Sequence, residues 1–204
     1  MIRTLELRQD LSLGSACQGV DPGEVTGALA HCAEVEGRLV VRSAALWKRR
    51  TVRGVHRWGV TFWTHERGVF ERVAMSLGAA IVVSATLSPP EGEIGAVEAI
   101  RPHGARKGYT ALAESSGAAV GILESQGRVV HRVEHADWMR DVAGLHQTAG
   151  DVHVLGCLRG EKVPGRITIA DWGVRLPPEL HVSHVADAIA ISAWAMGFRL
   201  TGER

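Results

Sequence analysis

The chain has 204 residues, 46% of them hydrophobic and 22% charged, with a formal net charge of +1. That length and balance fit one globular domain with a full core. No apolar run approaches the roughly 18 residues of a membrane span, and near-neutrality gives no global argument for a polyanionic partner.

The opening MIRTLELRQD is charged throughout and lacks the apolar centre of a secretory signal, so a cytoplasmic location is expected. Cys17, Cys32 and Cys157 form no C-x-x-C pair and are expected to be buried reduced thiols. Apolar runs at Ala16–Val20, Val25–His31 and Arg38–Ala45, separated by DPGE and AEVEG, predict a three-strand antiparallel meander. WKRRTVRGVHR, Trp47 to Arg57, is the densest basic run and contains no acid. It reads equally as a phosphate-contacting arm or a solvated loop. Trp63, Val69 or Phe70, Val73 and Leu77 recur near helical spacing, predicting an amphipathic helix from about Thr64 to Leu77.

A buried strand is expected around Glu93–Ala99. The stretch carrying Tyr109, Leu112, Val120 and Leu123 predicts a helix ending at Gly127, in which Gly117 and Gly121 would permit close packing on a sheet. RVVHRVE reads as a further strand and HADWMRDVAG as a helix begun by Asp137. The last element is a helix with Ser183 as N-cap, Ile189, Ala193 and Met196 along one stripe, and an end near Gly197. The order predicts an α/β domain with a mixed sheet flanked by helices.

Asp21, Glu98 and Asp187 each interrupt or end an otherwise apolar element. Each has an ordinary explanation: a turn opener before Pro-Gly, a strand end at the surface, an early helix acid favoured by the dipole. Grouped in one core, however, they would need a cationic counter-charge. Hard oxygen ligands select Mg²⁺ or Mn²⁺, and two such ions about 4 Å apart suit phosphodiester cleavage. His184 precedes Asp187 by three residues and so shares its helical face.

These residues carry a resemblance to the RuvC-type Holliday junction resolvases, which have an RNase H-like fold. GVDPGEVTGALA resembles that family's opening strand and turn, GAVEAI its strand ending in the second catalytic acid, and HVSHVADAIAISAWA its closing helix. LAESSGAAVGIL and HRVEHADWMRDVAG are similar to the helix after the glutamate and to the following strand and helix. The likeness runs from about Ala16 to Met196 and implies one nuclease domain over residues 1–204, with a basic insertion around 46–60 and a longer segment around 155–180. It further implies that Asp21, Glu98 and Asp187 bind two Mg²⁺ or Mn²⁺ ions, with His184 as ligand or acid/base partner. The implied activity is a structure-selective endonuclease of DNA recombination and repair, a homodimer that resolves four-way junctions by paired symmetric nicks.

Arg49, Arg50, Arg53, Arg101, Arg106, Lys107 and Arg140 are the expected DNA contacts. Arg101 stands where family members can carry a wedging aromatic, and Arg140 where they tend to have a lysine. His131 and His135 straddle a strand end, which makes them poor candidates for a metal. Three rivals remain at this point: an RNase H-like nuclease acting on flaps, forks or RNA–DNA hybrids; an ATP-binding module of the sugar-kinase or actin type; and a non-catalytic DNA-binding protein of the same fold.

Overall fold

Short runs of small and β-branched residues, punctuated by glycine turns, place much of this chain in strands. The computed structural model describes residues 2–87, 94–100, 109–144, 151–163 and 169–201. After β1 (Ile2–Leu7) comes a meander of β2 (Ala16–Asp21), β3 (Thr26–Val35), β4 (Arg38–Val52), β5 (Val55–Thr64) and β6 (Gly68–Ala74), in which each strand from β3 on is antiparallel to the one before it. The β3–β4 and β4–β5 turns are Glu36-Gly37 and Arg53-Gly54, with φ of 51°, 76°, 49° and 76°. Positive φ at both central residues is the two-residue turn whose twist matches that of the flanking strands.

Helix α1 (Leu77–Leu87) leads to β7 (Ile94–Glu98), and α2 (Tyr109–Ser125) to β8 (Val129–Val133). Strands β7 and β8 add in parallel to β2, completing a seven-stranded sheet of order β6-β5-β4-β3-β2-β7-β8. There follow α3 (His135–Trp138), which runs on as a π-turn to Ala143, then α4 (Asp151–Arg159), β9 (Ile169–Asp171), α5 (Ser183–Ala195) and β10 (Phe198–Leu200). Strand β1 lies between β9 and β10 in a separate three-stranded sheet.

The period-2 alternation of strands sorts the core into two layers. Val20, Leu29, Trp47, Phe62 and Val97 pack with Ile81 of α1 and Ala119 and Leu123 of α2. Cys17, Ala28, Ala30, Ala44, Ile94 and Ala96 pack on the opposite side, against the buried face of α5. On that side Gly19 of β2 lies directly beneath α5: a Cβ there would overlap the Ala188 carbonyl and the Ser192 side chain. Ser192 Oγ donates to the Ala30 carbonyl at 3.1 Å, tying the helix across β2 and β3. The three cysteines are free and buried, and burial pushes the Cys32 thiol up to about 12.

The mixed α/β architecture agrees with the sequence reading, while four local expectations are corrected. The meander has five strands, because residues 68–74 form β6 and the helix begins only at Leu77. The helical spacing of Trp63, Phe70 and Val73 is incidental: Phe62 and Phe70 pack as a tilted pair across the β5–β6 ladder with ring centroids 5.1 Å apart, and Val73 is 72% exposed. The basic run, open between arm and loop on sequence alone, is regular hairpin, and the helix expected to begin at Asp137 starts at His135. Ser183 is the first helical residue of α5, and among the described residues no side chain caps that end, whereas Ser76 Oγ accepts from the Ala79 amide at the start of α1. Finally, Gly117 and Gly121 are exposed, with open space where a Cβ would stand; Ser115, Ser116, Ala119 and Leu123 are the buried side of α2.

Two glycine substitutions should therefore act oppositely. Gly19→Ala forces α5 off β2 and should cost about 1–3 kcal/mol, the usual penalty of overpacking. Gly117→Ala should stabilise by about 0.5–1 kcal/mol, through helix propensity alone. Urea unfolding of both checks the assignment; equal effects would contradict the packing described.

Candidate metal centre

Asp21 is the last residue of β2, at the strand's C-terminal end, and shares the α5-facing side of the sheet with Cys17 and Gly19. The next residues, Pro22 and Gly23, turn the chain sharply, and a Cβ on Gly23 would overlap the Thr26 carbonyl. The Gly23 carbonyl accepts from Trp47 Nε1 at 3.2 Å and from Ser115 Oγ at 3.4 Å. The Asp-Pro-Gly turn is thus held from β4 and from α2. Val20 pairs with Val97 in the parallel β2–β7 ladder, so one step further along Asp21 stands beside Glu98, the last residue of β7.

Helix α5 runs antiparallel to β2, with Ser192 near Cys17 and its first turn over Asp21. One turn before the contact with Gly19, His184 Nδ1 lies 2.5 Å from Asp21 Oδ2. Ligand atoms of Asp21, His184 and Asp187 all fall within 4.8 Å of one another. The second acid has its own imidazole, with His135 Nδ1 2.6 Å from Glu98 Oε1.

The electrostatics follow from burial. Desolvation pushes the Asp21 carboxyl above the ordinary carboxylate range; the His184 hydrogen bond opposes this and the neighbouring Glu98 charge reinforces it. His135 is pushed above the usual imidazole value, chiefly by its bond to Glu98. Crowded, partly desolvated carboxylates beside imidazole nitrogen are the donor set of a hard divalent cation, and the N-terminal turn of α5 favours negative charge at the same place. The residues present fit such an ion.

Of the four residues expected to hold metal, the structure brings Asp21, His184 and Asp187 into one tight group and sets Glu98 on the adjacent strand. His135, a poor metal candidate by its sequence position, lies against Glu98. The usable signal was strand register. Glu98 pairs with Val133, so a residue just past the end of β8 must come close to Glu98.

The expected DNA contacts are dispersed. Arg49 is ion-paired with Glu24 at 3.0 Å, while Arg50 and Arg53 lie at the outer end of the β4–β5 hairpin. Arg140 is engaged by Asp141 at 2.7 Å and Asp137 at 3.2 Å, in a network where Trp194 Nε1 also donates to Asp141. Arg101, Arg106 and Lys107 lie outside the described residues. Among the described residues no helix is long and apolar enough to cross a membrane.

No protein-family model matches the chain, and no curated protein matches it significantly. Among solved structures it is similar to Thermus thermophilus RuvC at 18% identity and a TM-score of 0.53, over 91% of this chain and 99% of that one. T. thermophilus RuvC in complex with Holliday junction substrate aligns at 18% identity and a TM-score of 0.47, over 92% and 99%. The chain has the RuvC fold, the mixed-sheet architecture expected from its sequence.

Two measurements test the centre. Excess Mn²⁺ or Mg²⁺ should raise the wild-type melting temperature, since a ligand at about 100 times its Kd adds about 2.7 kcal/mol. Asp21→Asn should lose most of that gain, and an undiminished shift would place the ion elsewhere. In metal-free buffer the His135–Glu98 pair should contribute fully below about pH 6.5, the ordinary imidazole value, and fade as pH rises through the raised folded value. His135→Gln should remove that component from unfolding free energies measured between about pH 5 and 9; identical pH slopes in the two proteins would reject the pair.

Proposed function

We propose that this chain is a divalent-metal-dependent endonuclease acting on branched DNA. The observation that carries the reading is the convergence of Asp21, His184 and Asp187 within 4.8 Å, with Glu98 on the adjacent parallel strand. The RuvC fold and the likeness of the GVDPGEVTGALA, GAVEAI and HVSHVADAIAISAWA motifs support the substrate class, four-way junctions, and a homodimer that nicks two opposed strands.

Asp21, Asp187 and His184 would hold Mg²⁺ or Mn²⁺, with Glu98 completing the set. Such ions supply positive charge at the scissile phosphate, an activated water and stabilisation of the leaving oxygen. The chain's own contribution is placement. The Gly23 turn fixes the Asp21 backbone, α5 carries His184 and Asp187 as a rigid unit, and β7 sets Glu98 beside them. The His135 bond orients the Glu98 carboxylate, holding one oxygen in a fixed direction. Burial of Asp21 beneath α5 excludes bulk water from one side of the centre.

The test is cleavage of an immobile four-way junction beside a linear duplex, a flap, a fork and an RNA–DNA hybrid, in Mg²⁺ and in Mn²⁺. Wild type should make paired symmetric nicks in the junction, and Asp21→Asn should lose at least about 100-fold in rate, the scale set by removing one transition-state-stabilising group. Preferred cutting of another substrate would retain the centre and refute junction selectivity. Tight junction binding without cutting in either metal would refute the enzyme.

A further inference from the structure

The β4–β5 hairpin outruns the sheet that carries it, and its outer half shares a sheet face with the acidic centre. Cross-strand partners point to the same side. From Asp21 the pairing passes to Ala28 and then Leu46, and continues outward along β4 to Lys48, Arg50 and Val52 on that same side. Across the next ladder these face Gly59, Arg57 and Val55, and Gly59 faces Val73 on β6. Arg49, by the same alternation, points to the other side and is engaged by Glu24.

Three features set this patch apart from a solvated hairpin. Arg50 and Arg57 stand directly opposite each other, an arrangement that repels across a ladder, and among the described residues the ion pair of Arg50 is a long one, to Glu71 at 3.9 Å. Gly59 gives the guanidinium a seat, since a Cβ there would lie 3.3 Å from the Arg50 Cζ and Nε. Between the cations lie Val52, Val55 and Val73, 55%, 48% and 72% exposed, in a concavity of about 460 Å³ that Arg50, Arg53 and Arg57 also line. Apolar floor flanked by forked cations matches the sugar edges and phosphates of a nucleic-acid backbone.

We propose that this face of the hairpin binds the phosphate backbone of a DNA duplex arm leading away from the cleavage centre, with Arg50 and Arg57 as its principal contacts. The inference rests on the nuclease reading above and adds where the substrate lies. With strands about 4.8 Å apart and about 3.3 Å per residue, Arg50 and Arg57 lie on the order of 16–20 Å from Asp21. At about 3.4 Å per nucleotide of one strand, that is roughly five or six phosphates from the cut.

The experiment is fluorescence anisotropy on a four-way junction with arms of about 20 base pairs, in Ca²⁺, across about 50–250 mM salt, for wild type and Arg50→Ala/Arg57→Ala. The double variant should bind at least 10-fold more weakly and its log–log salt slope should be shallower by about 2. Because the two arginines repel, its melting temperature should hold or rise. Arg50→Lys/Arg57→Lys, which keeps the charge, should restore the slope whatever the alanine variant does to folding. An unchanged slope in a wild-type background that binds and cuts would overturn the hairpin proposal alone and leave the patch to an acidic protein. A wild type that cuts nothing but shows the hairpin-dependent slope would sink the nuclease reading and keep the DNA surface; absence of DNA binding by wild type would overturn the proposal.

Discussion

The contact on which the rest of the site depends is the close approach of α5 to β2 at Gly19. A helix can lie that near a strand only where the strand has no side chain and the helix has small ones, as at Ala188. Ser192 then reaches the Ala30 carbonyl on β3 and fixes the helix along its own axis. With that fixed, helical geometry dictates the remainder: His184 lies one turn before Ala188, and Asp187, three residues after His184, shares its side of the helix over the end of β2, where Asp21 stands. Residues of no chemical interest therefore set the spacing of the chemical ones. Because the rest of α5, from Val185 to Ala195, is almost entirely buried, moving the site would mean repacking the core.

The electrostatics oppose this placement. Burial raises the Asp21 carboxyl and Glu98 adds a like charge on the next strand. The protein partly compensates with imidazoles, His184 on Asp21 and His135 on Glu98, each at hydrogen-bond distance. Two carboxylate–imidazole pairs are a weaker counter-charge than a divalent cation. A core that keeps crowded acids with incomplete compensation has given up stability, as functional sites commonly do.

Elements governed by local pattern were legible in the sequence. The strand before Asp-Pro-Gly, the strand ending in Glu98, the helix from Tyr109 and the helix carrying His184 and Asp187 each announce themselves by period and by flanking turn residues. What was not legible depends on distant partners. Strand β1 pairs with residues 169–171 and 198–200, and nothing in its immediate sequence specifies them. Residues 68–74 carry apolar side chains at spacings compatible with either a helix or a strand, and pairing with β5 decided between them. His135 is adjacent to Glu98 only through the β7–β8 register. Exposure misled as well: Gly117 and Gly121 have the spacing of a packing groove but face outward, so a spacing alone does not identify what it faces.

The hairpin shows how sheet geometry links a basic run to a site remote in sequence. Strand β2 has 6 residues and β4 has 15, so the outer part of β4 extends past the end of β2, where Asp21 lies. Strand alternation then leaves little freedom: any side chain on the α5-facing side of the outer hairpin lies on a continuous surface with the acids. Natural hairpins reduce the cost of exposed ladders by pairing opposite charges across them. Here two arginines face each other beside exposed valines, an arrangement that weakens the isolated hairpin and becomes favourable once an anion lies between the guanidinium groups. Cation repulsion on the hairpin and carboxylate crowding at the centre are complementary in sign, and a bound nucleic-acid backbone with its metal ions would relieve both.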